Sequence, residues 1–257
     1  MGLLNGTAGI VTGAGAGIGR SIAMVAAREG ASVVTADIKV EACEETASMI
    51  RESGGKVITL QANVTDDDAV HELVEQAVSS FGQLNWAVNN AAFGGAGPLL
   101  ADISRNNWDR TINGTLMSVW LCMKHEIPQM IKNGGGNIVN IGSMAGVTGN
   151  PMQAAYAAAK GGVIALSKSA AAEYALQGIR VNVVNPGMIR TPGVEVFLSV
   201  APEMAERAIG AHALNRPGEP EEVAETAVFL CSDRSSFITG ECIAVDGGTQ
   251  VKATTFP

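Results

Sequence analysis

Short runs of apolar and β-branched residues alternate along the chain with longer amphipathic segments. Seven of the runs have the length of strands, at residues 8–12, 31–36, 56–60, 84–88, 136–141, 179–184 and 242–245. Most are apolar at successive positions, which is typical of strands buried on both faces of a parallel sheet. The segments between them predict helices at residues 17–28, 40–52, 66–81, 104–132, 154–177 and 220–231. We therefore predict an α/β fold: a doubly wound, seven-stranded parallel sheet with helices on both faces.

The chain shows no sign of a boundary between domains. Its 257 residues contain no linker rich in Pro or Ser, no charge block and no internal repeat, so we expect one domain over residues 1–257. The stretch at about 191–217 is different, because its periodicity is weak and three prolines interrupt it. Long segments of this kind are commonly functional or mobile. We predict a short helical lid over a site, and a surface excursion is the alternative.

Composition and charge narrow the class of protein. With 47% hydrophobic and 16% charged residues, the chain is not mostly disordered. It has no apolar run of the roughly 18–20 residues that span a bilayer, and its first residues lack the basic and apolar stretches of a secretory signal. A net charge of −8 without a basic run argues against nucleic acid or an anionic membrane as a partner.

The cysteines and histidines lack metal-binding spacing. The four cysteines include no Cys-x-x-Cys pair, so reduced thiols in a cytoplasmic protein are the simplest interpretation and we expect no metal. The histidines lie far apart, and we expect each to be a surface or half-buried residue. They are His71, His125 and His212.

A glycine-rich turn, Thr12–Gly19, lies between the first predicted strand and the first predicted helix. Glycine allows positive φ and leaves no Cβ to block a phosphate. The helix start offers free N–H groups and a positive dipole end to a diphosphate. The turn therefore predicts dinucleotide binding, and a tight turn chosen for packing is the alternative.

An acidic residue follows at the place where a nucleotide ribose would lie. Asp37 ends the second predicted strand, 18 residues after Gly19. A carboxylate there can accept hydrogen bonds from both ribose hydroxyls. It would also repel a 2′-phosphate, because two like charges about 4 Å apart cost on the order of 4 kcal/mol at an effective dielectric near 20. Asp37 therefore favours NAD over NADP, although the nearby Lys39 weakens the preference.

A tyrosine and a lysine share one face of the fifth predicted helix. Tyr156 and Lys160 are four residues apart, which puts both side chains on that face. An ammonium roughly 5 Å from the phenol would lower its pKa by about two units at an effective dielectric near 20. Such a phenol can serve as a general acid or base near neutral pH. Ser143 follows the fifth predicted strand, at the sheet edge where ligands bind, and can hydrogen-bond a substrate oxygen.

These motifs together resemble those of the short-chain dehydrogenase/reductase family. The resemblance covers nearly the whole chain, in the family's order and approximate spacing. It is carried by Thr12-Gly13-x-x-x-Gly17-Ile18-Gly19, Asn89-Asn90-Ala91, Ser143, Tyr156-x-x-x-Lys160, Asn185-Pro186-Gly187 and Gly240-Glu241-x-x-x-Val245-Asp246-Gly247-Gly248. It implies a Rossmann-like fold and an NAD(P)-linked alcohol or ketone oxidoreductase.

The resemblance also implies roles for individual residues. Tyr156 would be the acid/base, Lys160 would bind the nicotinamide ribose and lower the Tyr pKa, and Ser143 would polarise the carbonyl. Asn113 matches the family's catalytic Asn, which holds a proton-relay water. The implied cofactor contacts are Gly13, Gly17, Ile18, Gly19, Asp37, Asn63, Val64, Asn90, Tyr156, Lys160, Pro186, Gly187, Ile189 and Thr191.

Three positions depart from the family's pattern. Asn63 stands where Asp is frequent, and its amide can still accept a bond from the adenine amino group. Ala92 stands where Gly is usual, and its methyl can crowd the cofactor. Ala16 stands where NADP-using members often have Arg or Lys, which agrees with Asp37 in favouring NAD.

We therefore expect hydride transfer between NAD and a secondary alcohol or ketone, with Tyr156 as acid/base. One alternative is an NADPH-dependent reductase of 3-oxoacyl groups. The other is a dinucleotide-binding protein without catalysis. The resemblance further implies a homo-oligomer, often a tetramer, and the helix that carries Tyr156 is rich in the small residues that permit close packing.

Overall fold

Seven parallel strands form one sheet in the order β3-β2-β1-β4-β5-β6-β7. A computed structural model describes residues 2–251, so residues 1 and 252–257 of the predicted domain lie outside the described part. The strands are β1 (Ala8–Thr12), β2 (Ser32–Asp37), β3 (Lys56–Gln61), β4 (Trp86–Asn89), β5 (Gly136–Ile141), β6 (Ile179–Pro186) and β7 (Cys242–Val245). The predicted fold class is confirmed, with strand bounds within two residues of those expected.

Nine α-helices connect the strands within residues 2–251. They are α1 (Gly17–Arg28), α2 (Val40–Glu52), α3 (Asp67–Phe81), α4 (Arg105–Ile112), α5 (Ser118–Lys132), α6 (Ala154–Tyr174), α7 (Pro192–Val200), α8 (Pro202–Gly210) and α9 (Pro220–Cys231). Local chemistry fixes several ends. The Asp66 carboxylate accepts from the Ala69 N–H at the start of α3, and Gly82 ends that helix at a φ of +75°.

Two helices expected to be continuous are divided. The predicted helix 104–132 consists of α4, a π-helical turn at Asn113–Met117, and α5. The wide turn lies where the backbone at Gly114 passes close to Phe93. The predicted helix 154–177 ends at Tyr174 and continues as a 3₁₀ turn, Ala175–Gln177, which Gly178 closes at a φ of +76°.

The core lies on both faces of the sheet. Side chains alternate along each strand, so Val11 packs in a cluster with α1, α2 and α9, while Ile10 packs in a cluster with α3, α5 and α6. All four cysteines are free thiols, and Cys43, Cys122 and Cys231 are buried while Cys242 is half-buried. Burial raises the pKa of each, to about 12 for Cys43 and Cys231.

A chain of buried polar side chains links the sheet to α5 and α6. The Asn89 amide donates to Glu126 and to Asn140, each at 3.0 Å, and the Asn140 amide donates to Ser167 at 2.8 Å. The Oδ1 atom of Asn89 accepts no hydrogen bond from the described residues. Burial raises the pKa of Glu126 to about 7, with the Asn89 hydrogen bond opposing this shift.

The order of the strands determines where a ligand can bind. From the inner strand β1 the chain proceeds to β2 and β3 on one side and returns to β4 on the other. In such sheets a crevice opens at the carboxyl ends of the strands where the direction reverses. Here those are the ends of β1 and β4, which lead into Gly13 and Asn90.

The segment predicted as a short helical lid contains α7 and α8. Thr191 caps α7 with its hydroxyl, which accepts from the Val194 N–H at 3.4 Å. Within residues 2–251, no helix is both long and apolar enough to cross a membrane.

Candidate active site

A cavity of about 880 Å³ opens at the carboxyl edge of the sheet and extends from the end of β2 to Tyr156. The residues predicted from the sequence that line it are Gly13, Gly17, Ile18, Asp37, Asn63, Val64, Asn90, Asn113, Tyr156 and Thr191. The cavity therefore brings together the glycine-rich turn, the acid after β2 and the tyrosine of α6, although these are far apart in sequence.

The glycine-rich turn is held against the start of the loop after β4. The Asn90 amide donates to the carbonyls of Thr12 and Gly13, at 3.0 and 3.2 Å, and the Thr12 hydroxyl accepts from the Asn90 and Ala91 N–H groups at 3.1 Å. Gly13 has a φ of +64°, a conformation that favours glycine. Gly19 is buried below the turn, where a Cβ would overlap the Gly13 carbonyl.

The N-terminus of α1 faces the cavity without a side-chain cap. Ala16, Gly17 and Ile18 line the cavity, and the first turn of α1 carries no acidic residue. Arg20 braces the turn from behind, because its guanidinium donates to the Gly15 carbonyl at 2.5 Å and to Glu45 at 2.9 Å. The helix start therefore presents its free N–H groups and positive dipole end to the cavity.

Asp37 lies beside the glycine-rich turn, at the β2 end of the cavity. Its carboxylate accepts from the Gly15 N–H at 3.3 Å and from the Lys39 N–H at 3.0 Å, so its oxygens are held at the cavity wall. Asn63 lines the same end, and its Oδ1 accepts from the N–H and hydroxyl of Thr65 at 3.1 and 2.8 Å. This Oδ1 is therefore already engaged within its own turn.

Tyr156 and Lys160 are close together on α6. The Lys160 Nζ atom lies 5.7 Å from the centre of the Tyr156 ring and donates to the Ile141 carbonyl at 2.5 Å. Lys160 is buried, and burial lowers its pKa to about 8. Burial raises the pKa of Tyr156, with hydrogen bonding to Ser143 opposing the shift. This direction is opposite to the lowered pKa expected from the ammonium, because desolvation of the phenolate dominates in the protein alone.

Six predicted site residues do not line the cavity. Gly19 and Lys160 lie below its wall, and Ser143 is half-buried at the end of β5, where its hydroxyl accepts from the Ala145 N–H at 3.1 Å. Of the other three, Pro186 is the last residue of β6, and Gly187 and Ile189 follow it. Gly187 donates to the Val245 carbonyl at 3.0 Å, and a Cβ on it would lie 2.9 Å from the Asp246 Cα and the His212 Nε2.

The expectation for His212 is wrong. His212 is only 4% exposed, so it is fully buried and not at the surface or half-buried. Its Nε2 accepts from the Met188 N–H at 3.1 Å, and its Nδ1 lies 3.0 Å from the Ala208 carbonyl. It thereby connects the end of α8 to the loop after β6. Each of the other two histidines contacts a carboxylate: the exposed His71 lies 3.5 Å from Glu75 and the half-buried His125 lies 2.7 Å from Asp67.

A charged cavity residue, Arg110, was not predicted from the sequence. Arg110 and Phe93 line the cavity, with the guanidinium carbon of Arg110 4.6 Å from the centre of the Phe93 ring. Arg110 is three residues before Asn113, and this spacing places both on one helix face. That spacing was the available sequence signal for Arg110.

The residues at the cavity fit a nicotinamide dinucleotide. The glycine-rich turn leaves no side chain in front of the α1 N-terminus, where a diphosphate binds, and Asp37 offers oxygens to a ribose one strand away. Within residues 2–251 no group of three or more His, Cys, Asp or Glu side chains is arranged to hold a metal ion.

Comparison with known proteins identifies the family to which the chain belongs. A family model described as enoyl-(acyl carrier protein) reductase matches residues 13–250. The cyclohexanol dehydrogenase of Acinetobacter sp. (strain SE19) is 42% identical over 243 residues, which cover 95% of this chain and 94% of that protein. The chain belongs to the short-chain dehydrogenase/reductase family. It is accordingly an oxidoreductase.

Two further comparisons support the family assignment. The 3-oxoacyl-(acyl-carrier-protein) reductase of Thermotoga maritima is 42% identical over 246 residues, covering 95% of this chain and 98% of that protein. The crystal structure of levodione reductase superposes with a TM-score of 0.93 at 31% identity, covering 97% of this chain and all of that one. These relatives are named for different substrates, and the superposition shows that the fold is shared.

Proposed function

We propose that this enzyme oxidises a secondary alcohol with NAD, and reduces the corresponding ketone, using Tyr156 as the acid/base. The observation that carries the proposal is that Tyr156 lines the same cavity as the glycine-rich turn and Asp37. The glycine-rich turn and Asp37 would hold a dinucleotide in the cavity that Tyr156 also lines. The bound nicotinamide would accept a hydride from the alcohol carbon, or return one to the ketone.

Each polar group near the phenol has a task in this reaction. In the direction of oxidation, the Tyr156 phenolate accepts the hydroxyl proton of the alcohol, and in reduction the phenol returns it. The Ser143 hydroxyl bonds the substrate oxygen and Tyr156, while its own position is set by the Asn185 side chain, which accepts from the Ser143 N–H at 3.1 Å. The Lys160 ammonium, 5.7 Å from the centre of the Tyr156 ring and held in place by the Ile141 carbonyl, stabilises the phenolate.

Asp37 supports NAD rather than NADP as the cofactor. Its carboxylate is fixed at the cavity wall by the Gly15 and Lys39 N–H groups, so it cannot turn away from a 2′-phosphate without losing both bonds. Ala16 adds no positive charge at this end. The Arg20 guanidinium is also engaged, with Gly15 and Glu45.

The substrate we propose is an apolar, cyclic secondary alcohol. Support comes from the relative that is named a cyclohexanol dehydrogenase, and from the small and apolar residues Phe93 and Gly94, which line the cavity together with Tyr156. The second candidate is reduction of a 3-oxoacyl group with NADPH, which the Thermotoga maritima relative favours by an equal identity of 42%. We further propose that the enzyme works in the cytoplasm, where its four free thiols stay reduced.

Absorbance at 340 nm tests the choice between these candidates. The enzyme is assayed with NAD and with NADP against cyclohexanol and a series of linear and cyclic secondary alcohols, and with NADH and NADPH against a 3-oxoacyl thioester. We expect turnover of cyclic alcohols with NAD. Faster turnover of the thioester with NADPH would establish the second candidate instead.

Replacement of Tyr156 tests the mechanism. Tyr156→Phe removes the proton acceptor and leaves the ring, so we expect kcat to fall at least a hundredfold while NAD still binds. Tyr174→Phe, at the end of the same helix, is the matched control and keeps normal turnover. Near-normal turnover by Tyr156→Phe, measured at 340 nm, would contradict the assigned role.

A further inference from the structure

The π-helical turn between α4 and α5 contacts the cavity wall. The Ser118 N–H donates to the Asn113 carbonyl five residues before it, the bond that defines such a turn. These turns are rare and frequently lie at functional sites. The two polar side chains at its start differ: Asn113 is exposed on the cavity, whereas Thr115 is fully buried.

The buried hydroxyl of Thr115 bonds both backbone groups of one loop residue. It accepts from the Phe93 N–H at 3.2 Å and donates to the Phe93 carbonyl at 2.5 Å. One hydroxyl can make both bonds at once, because it carries a donor and free lone pairs. The loop after β4 has no strand partner at Phe93, so this side chain takes the place of a ladder partner.

Close packing on either side transmits this contact to the phenol. A Cβ on Gly114 would lie 2.5 Å from the Phe93 Cβ, so the turn and the loop touch directly. The next loop residue, Gly94, has a φ of +133°, and a Cβ on it would lie 3.0 Å from the Cδ2 atom of Tyr156. The Phe93–Gly94 loop is therefore held between the π-helical turn and the Tyr156 ring.

We propose that Thr115 is a positioning residue of the oxidoreductase reaction, whose hydroxyl holds the Phe93–Gly94 loop against the Tyr156 ring. Thr115 lies behind the loop and acts through it. Loop displacement would change where the phenol and the substrate meet, and misplacement by about 1 Å can cost a hundredfold in rate. The inference rests on the proposed role of Tyr156.

Three variants separate this role from a structural one. Thr115→Val keeps the side-chain shape and removes both bonds, and we expect kcat to fall ten- to hundredfold with the Kd for NAD changed less than threefold. The cofactor affinity is kept because the glycine-rich turn and Asp37 lie at the other end of the cavity. Thr115→Ser restores the hydroxyl and brings kcat back to within threefold of the unmodified enzyme. Ser118→Ala is the matched control, since it removes a buried hydroxyl directly after the turn that donates to the Gly114 carbonyl and not to the loop.

Hydrogen exchange gives a readout that needs no turnover. In Thr115→Val we expect faster amide exchange in the peptide that contains Phe93 and Gly94, and in Ser118→Ala an unchanged rate there. If Thr115→Val does not fold, Thr115→Ala serves for the same comparison. Its smaller side chain leaves a cavity that a water molecule can enter.

The outcomes that overturn the proposal are definite. They are an unchanged kcat in the Val or Ala variant, an equal loss of kcat in Ser118→Ala, a Ser variant as slow as the Val variant, or unchanged exchange at the loop. If the unmodified enzyme turns over no alcohol or ketone, the proposed function fails, and the exchange rates still decide whether Thr115 holds the loop.

Discussion

Asp37 is the residue with the clearest chemical consequence outside the catalytic group. We expect Asp37→Ala to lower the ratio of kcat/KM for NAD to that for NADP by tenfold or more, because the repulsion of a 2′-phosphate, on the order of 4 kcal/mol at close range, is removed. The ratio is measured at 340 nm with one alcohol and both cofactors.

The control for this change is Glu41→Ala, which alters the net charge equally from an exposed position in the first turn of α2. Its cofactor preference should equal that of the unmodified enzyme. If the preference of Asp37→Ala does not move, the electrostatic explanation of cofactor choice is wrong.

At the scale of residues, the sequence predicted the groups that carry a recognisable spacing. Asp37 and Tyr156 were found because each follows or belongs to a predictable element, and both line the cavity. The Thr115 hydroxyl was missed, since its contact is with a loop without periodicity, 22 positions earlier in the chain. The direction of the Tyr156 pKa was also missed, because burial depends on tertiary packing that spacing does not contain.

At the scale of elements, the glycine-rich turn depends on one close approach. In Gly19→Ala the new Cβ would overlap the Gly13 carbonyl, a backbone atom that cannot rotate away. We expect the turn to shift, the Kd for NAD to rise at least tenfold, and the unfolding temperature to fall, since overpacking typically costs about 1–3 kcal/mol. Cofactor titration and thermal unfolding measure the two effects.

Gly149→Ala provides the comparison, because a Cβ there meets nothing within 4 Å. It should bind NAD as the unmodified chain does. Equal affinity in the Gly19 and Gly149 variants would show that the close approach does not support the turn.

Element boundaries followed from sequence wherever local chemistry sets them. Helices α1, α2 and α9 have the predicted bounds. The π-helical turn between α4 and α5 was not predicted, because one five-residue turn shifts the helical period too briefly to stand out in a pattern that stays helical on both sides. The two helices of the lid segment are short and have few buried residues, which explains their weak pattern.

At the scale of the whole molecule, the buried Glu126 makes stability depend on pH. Its pKa is raised from 4.5 to about 7 in the folded chain, so the folded state holds the proton more tightly than the unfolded state. The stabilising protonated form is therefore fully present below about pH 4.5 and is lost as pH rises through about 7, at a total cost of about 3 kcal/mol.

Glu126→Gln stays neutral at every pH and can still accept from Asn89. We expect the free energy of unfolding of Glu126→Gln, relative to that of the unmodified chain, to increase between pH 5 and pH 8. Urea denaturation at each pH measures this difference. Glu72→Gln, which changes an exposed side chain bonded to Gln76, should show no such gain. Parallel curves for Glu126→Gln and the unmodified chain would mean that Glu126 is not the source.

We also predict a homo-oligomer, on the basis of the family resemblance. Large apolar side chains are exposed on α4, on the π-helical turn and on α5. Among them are Trp108, Met117 and Trp120. Sedimentation should therefore reveal an assembly of several 26.4 kDa chains, with four expected. A single species at the mass of one chain would refute this prediction.

The placement of the four thiols has a practical consequence. Thiolates react with alkylating reagents, and burial keeps these groups protonated in the native state. Cys43 and Cys231 lie in the helix layer on one side of the sheet and Cys122 in the layer on the other. Each helix layer thus contains at least one buried, unreactive thiol. The order in which iodoacetamide modifies these three cysteines under mild denaturant would show which helix layer opens first.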